Sequence, residues 1–201
     1  MKIVEYRGVR HLVYAEVTKD DGTDYTTGTV KDLAGVATIS KTSESSSEAH
    51  YYDNMPAVVV SSIGADTVTL DVSAIPYDVL ADLLGQTYDS TRSMYVEGEL
   101  KTKYFALGYV AKNTDGDEIY VWRYKGTFSV PDETNATEDN GTSANGQQIV
   151  YTGVKTITPF TNAGSKGAKA IYVNAKTNTT VTDSSFFASV QDPDDITAPT
   201  P

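Results

Sequence analysis

Two histidines, an acidic pair and a loop of aspartates are the groups in this chain with chemistry to offer. His11 and His50 are its only imidazoles, so a histidine general base would have to be one of them. His11 falls within the apolar alternation of HLVYAEV, and His50 follows a serine- and glutamate-rich run beside Tyr51. Neither has the local signature of a nucleophile or an orienting acid, and both read as structural or surface residues. Asp132 and Glu133 are neighbouring carboxylates of the kind that cleave glycosidic bonds, but nothing apolar flanks them to raise a pKa. They read as a solvated loop. DDGTD, from Asp20 to Asp24, has the look of a calcium loop without its closing glutamate, and a hairpin turn at Gly22 is the better reading. The absence of cysteine excludes disulfides, thiolate zinc sites and cysteine nucleophiles. No catalytic residue, metal site or cofactor is expected.

The elements that would have to position such groups are mostly strands. Apolar alternation recurs between turn signals at residues 11–17, 35–41, 57–63, 66–72, 147–157 and 170–175. In DTVTLDV the pattern is clean, with Val68, Leu70 and Val72 directed inward and Thr67, Thr69 and Asp71 outward. One segment, SAIPYDVLADLLG, has helical punctuation: Pro76 suits the first turn, Asp78 the positive end and Gly85 the stop. Ser73 is a candidate cap. The fold class expected is mainly β, an antiparallel sandwich or partial barrel with one flanking helix at about residues 76–84.

The stretch YFALGYVAKNTDGDEIYVWRYKGTFSV, Tyr104 to Val130, reads as a long hairpin turning at Asp115-Gly116. A two-residue turn of this kind pairs Leu107 with Tyr124, Tyr109 with Trp122 and Ala111 with Tyr120, and collects the aromatics on one face. The other face then carries Gly108, Val110, Val121 and Arg123, too apolar for plain exposure. A helix or a neighbouring subunit is expected to cover these four residues.

Residues 41–56 and 131–146 resist regular assignment and are expected as loops, the second mobile because it holds four carboxylates and no Lys or Arg. Residues 1–190 read as a single domain and 191–201, rich in Pro and Asp, as a flexible tail. Sixteen basic against 27 acidic residues give a formal charge of −11, which disfavours a conventional grip on phosphates. No apolar run is long enough for a signal peptide or a membrane span, so a soluble protein made in the cytoplasm is expected.

The order of several features carries a resemblance. GVRHLVYAEVT near the start, LAGV at 33–36, VTLDVSAIPYDVLADLLGQTYD at 68–89 and YFALGYVAKNTDGDEIYVWRYKGTFSVPDE at 104–133 together resemble the major tail proteins of long-tailed siphophages, in particular the phi13-type family. The resemblance implies a structural virion protein of the phage tail, assembled in the host cytoplasm. It implies that six copies form a ring and that rings stack into the tail tube, with DNA passing through the lumen without specific binding during ejection. The implied partners are the chain itself, a tape-measure protein, and tail terminator and distal tail proteins. Within this frame Glu48, Tyr51, Tyr52 and Asp53 are candidates for a loop that bridges adjacent rings, tyrosine being well suited to interfaces. The competing readings are a monomeric β-sandwich adhesion or carbohydrate-binding module and a hydrolase using loop carboxylates.

Overall fold

The computed structural model describes residues 3–52, 54–137 and 145–199. In chain order the strands are β1 (Tyr6–Asp20), β2 (Tyr25–Thr27), β3 (Lys31–Asp32), β4 (Val36–Tyr52) and β5 (Met55–Val72), followed by helix α1 (Tyr77–Leu84). Then come β6 (Thr87–Asp89), β7 (Met94–Val96), β8 (Phe105–Asn113), β9 (Glu118–Phe128), β10 (Asp132–Glu133), β11 (Gln147–Val154), β12 (Ala170–Asn174) and a short helix α2 (Asp183–Phe186). The main sheet is antiparallel in the order β2-β1-β8-β9-β11-β5-β4. It curls into a half-barrel in which β1, next to one end, comes into contact with β4 at the other. β12 extends the edge of β9 beyond the stretch paired with β11.

The central hairpin differs by one residue from the expected register. Asn113 Oδ1 accepts hydrogen bonds from the Asp115 and Asp117 N–H groups at 3.0 and 2.8 Å, and the Asn113 N–H donates to the Asp117 carbonyl. Only Gly116 has positive φ within the turn, at 82°, so three residues rather than two form the loop. Leu107 therefore faces Arg123, Gly108 faces Trp122, Tyr109 faces Val121 and Ala111 faces Ile119, until a bulge restores the Phe105–Gly126 pair. A one-residue slip exchanges faces. Gly108 and Val110 lie on the side of Tyr120, Trp122 and Tyr124, while Val121 and Arg123 lie on the side of Leu107 and Tyr109. The four residues expected to share a face are split between two, and all four are buried within one chain.

Each face of the hairpin has its own core. Inside the curl, Leu107, Tyr109 and Val121 pack with Val68, Leu70, Ile149, Leu12 and Tyr14, and with Leu80, Leu83 and Leu84 of α1. The helix follows the punctuation: Pro76 caps its start, and Gly85, at φ 63°, ends it by returning its N–H to the last turn. Ser73 does not cap it; its Oγ accepts from the Gly35 N–H instead. Asp82 ties the helix to the sheet through Lys31, Lys103 and the Tyr14 hydroxyl, at 2.6, 3.2 and 3.1 Å.

On the outer face the cover is the chain's own C-terminal segment. Phe160, Phe186, Phe187 and Val173 are buried against Trp122, Tyr124 and Val110. The Trp122 indole N–H donates to the Phe186 carbonyl at 3.0 Å, and the Trp122 and Phe187 rings lie 5.5 Å apart. Residues 191–199, expected as a solvated tail, dock as well: the Tyr124 hydroxyl donates to the Gln191 carbonyl, and Ile196 packs against this core.

Candidate functional site

The segment 41–56, expected as an irregular loop, is instead the outer part of a two-stranded arm. β4 and β5 run 17 and 18 residues and stay paired from Val36–Val72 out to Tyr52–Met55. The sheet supports only the proximal half, where β11 pairs with Asp66 to Val72. Beyond Asp66 the two strands pair only with each other among the described residues, over a reach of about 27 Å at the usual rise per residue. Serine is a weak strand former, but the valine-rich partner and cross-strand contacts such as Ser46 Oγ to Ser62 Oγ at 2.6 Å hold this stretch in β pairing.

The arm carries apolar side chains on both faces and buries few of them. By the register, Val58 and Val60 share a face with Glu48 and His50, and Val59 and Ile63 share the other with Ala49. Val59, Ile63, Tyr51 and Tyr52 are 62, 66, 66 and 65% exposed. A two-stranded ribbon is marginally stable by itself, and an exposed apolar strand pair is a template for association. Of the four residues expected to bridge rings, Glu48, Tyr51 and Tyr52 lie exposed on this arm. Asp53 lies outside the described residues.

Where the arm joins the half-barrel there is a buried ion cluster. Asp66, 4% exposed, accepts from Arg123 Nη1 at 3.2 Å and from Lys169 Nζ at 2.8 Å, with Lys41 Nζ at 3.9 Å. Burial opposes the charge on Asp66, but Lys169, a hydrogen bond from Ser43 and the charge of Lys41 outweigh it and hold its pKa below the ordinary carboxylate value. Arg123 Nη2 donates to the Tyr172 and Tyr109 hydroxyls at 2.9 and 3.4 Å. The cluster opens onto a cleft of about 650 Å³ whose walls include Arg7, Ile39, Lys41 and Val121.

A second ion group fastens the C-terminal segment to β1. Arg10 reaches Glu118 at 2.8 Å and Asp183 at 2.5 Å, and His11 Nδ1 lies 2.8 Å from Asp183. His11 sits at an irregularity of β1 with φ 57°, and its ring contacts Phe187 at 4.7 Å. These contacts tie it to the C-terminal segment. The attachment of α2 went unread, although the run TDSSFF held a signal: Thr182 and Ser185 form a reciprocal cap around its start. DDGTD is the β1–β2 turn, with Gly22 at φ 90°; Asp20 accepts from the Ile157 and Thr158 N–H groups and pairs with Lys125 at 2.6 Å. Asp132 and Glu133 form the short exposed strand β10.

Among the described residues no group of acidic or histidine side chains is arranged to hold a metal ion, and no helix is long and apolar enough to cross a membrane. A comparison with curated proteins finds no match. The model of the phage tail tube protein family matches residues 12–190, which take in α1, the arm, the half-barrel from the middle of β1 onward and the C-terminal cover as far as Val190. With nearly the entire described fold inside that match, the chain belongs to the phage tail tube proteins, a structural family of the bacteriophage tail.

Proposed function

We propose that this protein polymerises as stacked hexameric rings and that the stack is the conduit through which DNA leaves the virion. The observation that carries this reading is the arm: an ordered ribbon, continuous with the sheet, that leaves valine, isoleucine and tyrosine side chains in water on both faces. A solitary molecule gains nothing from that exposure, whereas a neighbouring copy that covers it stabilises both chains. Ring closure requires heterologous contacts, in which one patch meets a different patch, and repetition along the axis gives an open tube. Exposed apolar residues on a projecting ribbon favour self-association over a carbohydrate-binding module, in which they line a groove.

The overall charge of −11 suits a passage for a polyanion, because a lining of like sign repels phosphate while a basic one binds many phosphates at once. The proposed partners are further copies of the chain, a tape-measure protein, and tail terminator and distal tail proteins, with assembly in the host cytoplasm. Electron microscopy of the purified, concentrated protein tests the reading. Rings or tubes with a central hole are expected, and particles of monomer size at every concentration would overturn it.

A further inference from the structure

The cleft beside Arg123 carries more positive charge than the chain itself neutralises. Arg123, Lys169 and Lys41 converge on the single carboxylate of Asp66, and Arg7 stands at the exposed rim. Arg123 is 2% exposed, and its Nε is the buried side-chain polar atom that lacks a hydrogen-bond partner among the described residues. A buried guanidinium with an unused donor, in a group of three cations and one anion, favours the arrival of a further acceptor. In a chain of net charge −11, such a cationic recess is selective. Its walls also include Val9, Ile39 and Val121, so the visitor it fits is acidic and apolar together.

We propose that this cleft receives the arm of a second copy, with Glu48 as the incoming carboxylate and the tyrosines beside it packed on the apolar walls. Two other exposed acidic residues already have partners within the chain: Asp194 accepts from the Thr161 and Asn162 N–H groups at 2.8 and 2.7 Å, and Glu133 accepts from Gln147. Glu48 enters no hydrogen bond or ion pair with the described residues, and it shares a face with exposed Val58 and Val60. Charge and apolar surface thus travel together on the arm as they do in the cleft. The inference rests on the tube reading for its setting but has its own test.

Because the chain has no cysteine, introduced thiols report without background. Thr38→Cys at the cleft and Ala49→Cys beside Glu48 lie on one extended strand, about 36 Å apart within a chain at the usual rise per residue, so a short bismaleimide joins them only between chains. The full-length double variant is expected to give covalent dimers and higher multiples on a denaturing gel, and each single variant none. Adding Glu48→Lys should lower the yield at least about tenfold, and adding Lys41→Glu to that chain should restore part of it. Rings or tubes without the cross-link overturn the docking and leave the tube reading intact. A cross-link without rings or tubes upholds the docking and counts against the tube, and the lack of both overturns both. Cross-linking that ignores the charge reversals, or that joins Thr38→Cys to Glu133→Cys instead, also overturns the assignment.

Discussion

Gly108 occupies a place where no side chain fits. A methyl group built on it would come within 2.7 Å of the Trp122 ring and 2.8 Å of Val13, and neither the indole nor the neighbouring strand has room to retreat. Gly108→Ala is expected to cost about 1–3 kcal/mol, read as a lower urea midpoint at unchanged slope; an unaltered midpoint would mean that the outer core is looser than its packing indicates. At Asp183, burial works against the carboxylate, yet hydrogen bonds from Arg10 and His11 more than offset it and keep its pKa below the ordinary 3.8. The carboxylate therefore stabilises the folded chain above about pH 4, and that contribution is lost as pH falls from there through the lowered folded value. Asp183→Asn should remove part of the acid sensitivity of Trp122 fluorescence, since Trp122 lies against Phe186 and Phe187; superimposable acid profiles would contradict this. Some of this scale is legible in a sequence and some is not. The reading of His11 as a structural or surface residue rests on its apolar neighbours, which are local. The pairing of Arg10 and His11 with Asp183 joins residues more than 170 positions apart, and no local pattern encodes it.

Among the elements, α1 was readable nearly to the residue because its signals are local. Pro76 fixes the start, and Gly85 supplies a left-handed stop that other residues adopt under strain. Gly85→Ala is expected to destabilise the fold by more than about 1 kcal/mol in chemical denaturation, because the added methyl would also lie within 2.8 Å of Lys101. The central hairpin was readable as a hairpin but not in register. A single side chain, Asn113, bonds the turn N–H groups and enlarges the loop by one residue, and that step exchanges which face each aromatic occupies. The arm was the least legible: its serines look like loop, and only the partner strand decides otherwise. Since Tyr51 and Tyr52 are exposed in the single chain, Tyr51→Ser with Tyr52→Ser should leave its thermal midpoint within about a degree or two while reducing the yield of assembled particles. An unchanged yield, measured by sedimentation, would remove these residues from the interface.

At the scale of the whole molecule, the central hairpin is the middle layer between two cores, one closed by α1 and one by residues 158–199. The chain thus covers with its own residues the sheet face expected to meet a helix or a neighbouring subunit, and the surplus apolar surface lies on the arm. Removal of the chain after Ile157 would uncover Trp122, Tyr120 and Tyr124 and is expected to give protein that binds a hydrophobic dye and aggregates; a soluble monomer with native Trp122 emission would show that the outer core is dispensable. The C-terminal cover escaped sequence reading because it has little periodic structure: a short 3₁₀ turn, one strand and a single turn of helix hold it down through scattered aromatics. The central claim is that this fold leaves one large apolar feature in water and that copies of the chain cover it. Hydrogen exchange compared between dilute and assembled protein tests that claim most directly. Exchange over residues 45–63 that slows on assembly is the predicted result, and exchange along the arm that is equally fast in both forms would contradict it.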